Sequence, residues 1–273
     1  MATTASVVET QLERLRTDGF CLVENVIPKA EIPRIRENVH AAISKNSRSP
    51  FPREGCSNLL RFNQDIAPYF TDKRVVAVVE GALGPKYRVS YVTGYVTGPG
   101  RDRDIWHSDW PFNQRNSVHI PAPYPDFCAH LTTFFMLTDF RPENGATFLV
   151  PGSHKKGDHP RPGGEHGDWM ESKEGEVRLL GKAGDIGICD SRLWHAVSPN
   201  VTNESRVVVV VRFASWWLNL NPTRRETAER TLMTMPDSFD SVVEDLPRET
   251  YDGLPHDVKP LVKHLLPYGQ QVI

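Results

Sequence analysis

Three side chains have the types and spacing of metal ligands. His107 and Asp109 stand in Trp106-His107-Ser108-Asp109-Trp110. On an extended backbone, residues i and i+2 project to one side, so a ring nitrogen and a carboxylate oxygen can reach one point. A second imidazole, His195, follows 88 residues later in Arg192-Leu193-Trp194-His195-Ala196. Two histidines and one carboxylate, with positions left open, form the ligand set of non-haem Fe(II) sites. Taken alone, a His-x-Asp tripeptide reads more readily as a hydrogen-bonded surface pair.

Arg206 adds a second kind of chemistry. It lies eleven residues beyond His195, at the head of a run of five valines, Val207 to Val211. A turn at Ser198-Pro199-Asn200 is expected to bring that run back beside the strand carrying His195. Burying an arginine is costly unless it is paired. A guanidinium fork matches a carboxylate, so a dicarboxylate co-substrate suits it. A salt bridge to Glu204 is the plainer alternative.

The elements that must position these groups fall into two textures. Helical spacing of apolar residues predicts helices over 6–16 and 28–45, the second with Ile32, Ile35, Val39, Ala42 and Ile43 on one face and Pro33 in its first turn. A third helix is predicted over 73–83, and 222–235 also reads as helical. Between them, β-branched and aromatic runs predict strands at 20–26, 87–97, 129–138, 147–150, 176–180, 185–189 and 206–215. The valine run reads as a strand buried on both faces. Helices first and then roughly eight strands predict a mainly β barrel or jelly roll with helices packed outside. No repeat or flexible linker divides the chain. The expectation is one domain over 1–273: a helical N-terminal decoration at 1–85, a jelly-roll core at about 86–217 and a mixed C-terminal extension at 218–273.

Composition narrows the partners. Lys plus Arg is 32 and Asp plus Glu 34, a formal charge of -2. That balance gives no electrostatic reason to expect nucleic acid or an anionic membrane. No apolar run approaches the roughly 20 residues of a membrane span. The first residues lack the basic start and apolar core of a secretory leader. The four cysteines are scattered and never form CxxC, which suits a reducing cytoplasm. The 22 prolines favour a β-rich body with long loops over a helical bundle.

An ordered set of motifs then makes a resemblance specific. Asp18-Gly19-Phe20-Cys21-Leu22-Val23-Glu24-Asn25 comes first, followed by Trp106-His107-Ser108-Asp109. Next come Leu137-Thr138-Asp139, Glu143-Asn144-Gly145 and Val150-Pro151-Gly152-Ser153-His154, then Gly184-Asp185, Trp194-His195 and Arg206. In order and spacing the chain resembles the phytanoyl-CoA dioxygenase family of Fe(II)/2-oxoglutarate oxygenases. The resemblance implies a double-stranded β-helix, a cupin-like jelly roll with the metal at one mouth. It implies His107, Asp109 and His195 as iron ligands and Arg206 as the holder of the distal carboxylate of 2-oxoglutarate. Thr132 matches a position that places a hydroxyl near that carboxylate, and Phe134 one that carries an aromatic beside the co-substrate. Strand parity puts His130, Thr132 and Phe134 on one side, taken as inward. Relatives often carry serine two positions after the distal histidine; here Val197 stands there, and Ser198 has the wrong parity.

The implied activity is oxidation of a substrate C–H bond, with 2-oxoglutarate and O2 converted to succinate and CO2. Relatives that halogenate lack the carboxylate, so Asp109 favours hydroxylation or a related oxidation. A non-catalytic metal-binding jelly roll that binds a small ligand is the alternative. A cupin-like metal hydrolase or isomerase would leave Arg206 without a role. Trp110, Phe112, Asn113 and Gln114 follow the iron motif and are expected to border the substrate pocket with His130. Arg101, Arg103 and Arg115 are either an anion-binding rim or a solvated loop balanced by Asp102 and Asp104. His154 reads as a turn residue. His159 and His166 fall in a Pro/Gly-rich loop, 155–174, that is a lid or disordered. His40, His256 and His264 read as surface residues.

Overall fold

The computed structural model describes residues 4–47, 54–110, 122–160, 167–233, 237 and 242–271. Three helices come early: α1 (Thr4–Thr17), α2 (Ile32–Asn46) and α3 (Lys73–Leu83). Pro33 lies in the first turn of α2, where its missing N–H leaves no bond unmade. The Asp72 side chain caps α3 by accepting from the amides of Arg74 and Val75. Among the described residues there are nine strands: β1 (Phe20–Val23), β2 (Glu54–Ser57), β3 (Tyr87–Thr97), β4 (His130–Met136), β5 (Thr147–Leu149), β6 (Val177–Arg178), β7 (Ile186–Asp190), β8 (His195–Val197) and β9 (Arg206–Ser215).

The strands form two antiparallel sheets: a six-stranded one ordered β1-β7-β4-β9-β3-β2 and a three-stranded one ordered β6-β5-β8. The large sheet is two-faced. Its outer side carries Leu131, Phe135, Ile188, Val207, Val209 and Val211 against Ile35, Val39 and Ile43 of α2 and Val75, Val78 and Val79 of α3. Its inner side, with Phe134, Met136, Cys189, Val208 and Val210, packs against Leu149 of the small sheet. Valine suits β9 because both faces are buried and the strand is hydrogen-bonded on both edges. At Gly94 of β3 a Cβ would sit 2.8 Å from Ile43 Cδ1, so glycine lets α2 lie close on the sheet. A third apolar cluster, Trp106, Phe148, Val150, Trp194 and Ala196, covers the outer side of the small sheet.

The structure departs from the sequence reading at several places. The turn after β8 does not return β9 beside it: β8 lies in the small sheet, β9 in the large one, and the connection crosses the barrel wall. Residues 222–235 do not form one helix. Short 3-10 turns occupy Asn221–Thr223 and Ala228–Leu232. Thr227 Oγ1 donates to the Asn221 carbonyl at 2.6 Å and Arg230 Nη1 to the Pro222 carbonyl at 3.0 Å, which folds the segment back on itself. The C-terminal extension holds α4 (Arg248–Gly253) and α5 (Lys259–Val262). His264 is partly buried rather than on the surface.

Candidate metal centre

His107 and His195 meet because their backbones form an isolated antiparallel bridge. The His107 amide donates to the His195 carbonyl at 3.0 Å, and the His195 amide to the His107 carbonyl at 2.8 Å. Residues directly opposite in such a pair project to one face. The ring centroids are 4.2 Å apart. Next in the chain, Ser108 turns the other way, and its hydroxyl lies 2.6 Å from His159 Nδ1. Asp109 then returns to the histidine side, with its amide donating to the Ser191 carbonyl at 2.8 Å. One ligand atom from each of His107, Asp109 and His195 lies within 4.8 Å of the others.

Hydrogen bonding fixes the chemistry of these groups. His107 Nδ1 lies 3.1 Å from the Ile105 carbonyl, and His195 Nδ1 lies 2.9 Å from the Leu193 carbonyl. A carbonyl only accepts, so each Nδ1 carries the proton and each Nε2 presents a lone pair. Burial first, then His107, pushes the His195 imidazole down to about 4, so it is neutral and ligand-ready near neutral pH. Asp109 is the anionic member. Burial works to raise its carboxyl, but Arg212, the two histidines and Thr132 overcome it and hold the group well below the usual carboxylate range. Two imidazoles, each with Nδ1 tied to a carbonyl, and one carboxylate in this geometry fit a divalent iron ion.

Arg212, absent from the sequence reading, is the main partner of Asp109. Its Nε donates to Oδ2 at 3.1 Å and its Nη2 to Oδ1 at 2.8 Å. Thr132 is opposite Arg212 in the β4–β9 register and donates to Asp109 Oδ2 at 2.7 Å. Thr132 therefore stands at the Arg212 end of β9, not beside Arg206, six residues away at the other end. An ionised carboxylate accepts only, and this orients a whole chain of hydrogen bonds. Thr132 Oγ1 lies 2.8 Å from Ser191 Oγ, which lies 2.7 Å from His130 Nδ1, while His130 Nε2 lies 2.7 Å from Ser90 Oγ. The protons point toward Asp109 from Ser191 to Thr132 and from His130 Nδ1 to Ser191, while the Ser90 hydroxyl, beside His130 Nε2, also reaches the Arg212 carbonyl at 3.2 Å. Burial, then Arg212, pushes His130 down to about 3, in keeping with its neutral form.

Arg206 is buried on the inner face, where its Nη2 donates to Thr97 Oγ1 at 2.8 Å and its guanidinium lies 4.4 Å from the Phe140 ring centroid. The Glu204 carboxylate pairs with Arg141 at 3.2 Å. Phe134 lies on the same inner face, opposite Val210, between the Arg206 and Arg212 levels. In β8, Ala196 packs outward with Trp194, so Val197 shares the His195 side and Ser198 does not.

A cavity beside Asp109 is lined by Ser90, Tyr91, Trp110, His130, Arg212 and Leu218, among others. Trp110 and His130, two of the expected pocket residues, line this cavity; Phe112 and Asn113 lie outside the described residues, as do Gln114, Arg115 and His166. Arg101 pairs with Asp104 at 3.2 Å. Arg103 pairs with Glu176 at 3.1 Å and lies over Trp106 and Phe148, on the outer side of the small sheet. The described parts of 155–174 pack as structure: His159 is buried, and the Trp106 amide and indole donate to the carbonyls of Trp169 and Glu171. The sequence does not single out Ser191 or Arg212; Arg212 shares the strand parity of Arg206, and only the three-dimensional arrangement shows that it faces Asp109.

The family model described as Phytanoyl-CoA dioxygenase (PhyH) matches residues 15–208. The ectoine dioxygenase of Nocardia farcinica is 25% identical, over 75% of this chain and 77% of its own. Dioxygenase af480 of Aspergillus fumigatus is 30% identical over 50% of this chain and 41% of its own. Among solved structures, the epimerase SnoN, in complex with Fe3+, alpha ketoglutarate and nogalamycin RO, superposes with a TM-score of 0.62 at 19% identity. That match covers 77% of this chain and 84% of SnoN, and it shows a shared fold.

Proposed function

Because the chain belongs to the phytanoyl-CoA dioxygenase family of Fe(II)/2-oxoglutarate-dependent oxygenases, we propose that His107, Asp109 and His195 hold its iron and that Arg206 holds the distal carboxylate of its 2-oxoglutarate. The observation that carries this reading is the convergence of the three ligand atoms with both Nδ1 atoms tied to backbone carbonyls. The bound groups supply the coupled conversion of 2-oxoglutarate and O2 to succinate and CO2 with oxidation of a C–H bond in a small-molecule substrate. The residues supply everything else. The backbone bridge sets the angle between the imidazoles. Arg212 and Thr132 hold Asp109 ionised and fixed in place. Arg206 matches a carboxylate with a buried fork, and the apolar inner face, Phe134 included, keeps water from the co-substrate. Hydroxylation is the reaction that the retained Asp109 supports best. The whole chain works as one oxygenase domain. The near-neutral charge supports neither nucleic acid nor a membrane surface as partner, and the four cysteines, none of which forms a disulfide, support a cytoplasmic setting.

Anaerobic addition of Fe(II) and 2-oxoglutarate tests the reading. A visible charge-transfer band is expected with the wild type, and Asp109→Ala should need more Fe(II) to develop it. Succinate release should disappear in the same variant. A folded wild-type protein without the band would overturn the assignment.

A further inference from the structure

The cavity beside Asp109 opens onto a row of aromatic side chains. Trp110, which lines the cavity, meets Phe127 edge-on at 6.2 Å between centroids, and Phe127 meets Trp217 at 5.6 Å. Phe127 is 42% exposed, Trp217 49% and its neighbour Trp216 62%. Single exposed apolar residues are ordinary, but a contiguous set beside a cavity marks a binding surface. Leu218 and Leu220 continue the apolar wall from Trp217 into the cavity.

The charges that the protein's own side chains bring to the cavity pair with one another. Arg212 and Asp109 are its cation and anion, joined through both carboxylate oxygens. His130, buried with Nδ1 donating to Ser191 and pushed down to about 3 by burial, adds no charge. A substrate carboxylate or phosphate would find no uncompensated cation there. What remains is a donor: Arg212 spends Nε and Nη2 on Asp109, and among the described residues Nη1 has no hydrogen-bond partner.

Building on the reading of this cavity as the substrate site of the iron centre, we propose that the enzyme takes an uncharged, flat-ring substrate. Its ring system stacks on the Trp110–Phe127–Trp217 row, and a hydroxyl or carbonyl oxygen accepts from Arg212. Aromatic rings gain from one another through offset and edge contacts, which puckered rings of equal size cannot reproduce.

Three probes of similar size separate the terms: 2-naphthol (flat, neutral), 2-decalol (puckered, neutral) and 2-naphthoate (flat, anionic), each titrated calorimetrically into the metal-free full-length protein. 2-Naphthol should bind once per chain and tighter than either of the others. Trp217→Ala and Phe127→Ala, both at exposed positions, should each weaken it about three- to tenfold, the range of one aromatic contact. Equal binding of naphthol and decalol, tighter binding of naphthoate, or no change in both variants would overturn the proposal. The charge-transfer band of the wild type keeps the two readings apart. A band without naphthol preference leaves the oxygenase assignment standing and removes this substrate class; naphthol preference without a band does the reverse.

Discussion

At the scale of single residues, Asp109 is held from three directions at once. Two bonds come from Arg212 and one from Thr132, and all are charge-assisted. Removing one partner of a buried ion pair leaves the other charge uncompensated, typically at about 3–5 kcal/mol. Arg212→Met should therefore lower the unfolding free energy of the metal-free protein by that order and weaken Fe(II) binding, as read by urea titration and metal competition. A loss no larger than that of a surface substitution would show that the pair contributes little. Arg206→Ala should instead leave iron binding intact and weaken 2-oxoglutarate by roughly 2–5 kcal/mol, the cost of losing a buried charge-assisted contact. The donation from His130 Nδ1 to Ser191, with the burial that holds the ring neutral, makes a spectroscopic prediction: nitrogen NMR of His130 should report the neutral Nδ1–H tautomer at pH 7. A protonated ring, or the other tautomer, would contradict the chain of bonds. His107, Asp109, His195 and Arg206 were legible from spacing and motif order. Arg212 was not, because an arginine six positions after another carries no local signal until the strand register shows which carboxylate it faces.

At the scale of elements, neighbouring positions on one strand do unrelated work. Phe134 of β4 faces the inner cluster, while Phe135 faces the helices, with its ring 5.8 Å from that of Phe70. Phe135→Ala should cost about 3–5 kcal/mol of stability and leave the affinity for 2-oxoglutarate unchanged. Phe134→Ala should change that affinity. If both variants behaved alike, the two faces would not be separate. Helix α3 and strands β3 and β9 run where they are predicted, because each is a long, uninterrupted stretch rich in apolar and β-branched residues. Strand β8 has only three residues and β2 only four. Too short to show a period, they take their place from partners far away in sequence. The 221–233 segment misled for another reason: Thr227 and Arg230 spend their side chains on backbone carbonyls that a helix would use.

At the scale of the whole molecule, acid sensitivity follows from buried neutral histidines. Burial first pushes His264 down to about 3, helped by Arg88 and Arg224, and His130 is pushed to a similar value. In the unfolded chain both titrate near 6.5. Between about 6.5 and 3 the unfolded state thus binds protons that the native state refuses, so stability is full above that window and falls as pH drops through it. The urea midpoint should decline from pH 6.5 to pH 4.5, and His264→Asn should flatten part of the slope. A constant midpoint across that range would refute both shifts. The fold class was readable because helices precede strands and turns punctuate the core. The assignment of strands to sheets was not: the step from β8 to β9 was expected to form a hairpin, whereas the chain changes sheets there.

Strand β9 carries two arginines on its inner face, Arg206 at its first residue and Arg212 six positions later. At about 3.3 Å per residue the strand spaces them roughly 20 Å apart along its length. One anchors to the Asp109 carboxylate, and the other lies at the depth proposed for the co-substrate. A single inserted or deleted residue between them would turn one guanidinium out into the helix-facing apolar layer and leave the other in place. In hereditary terms, this stretch of valines can change length only by twos.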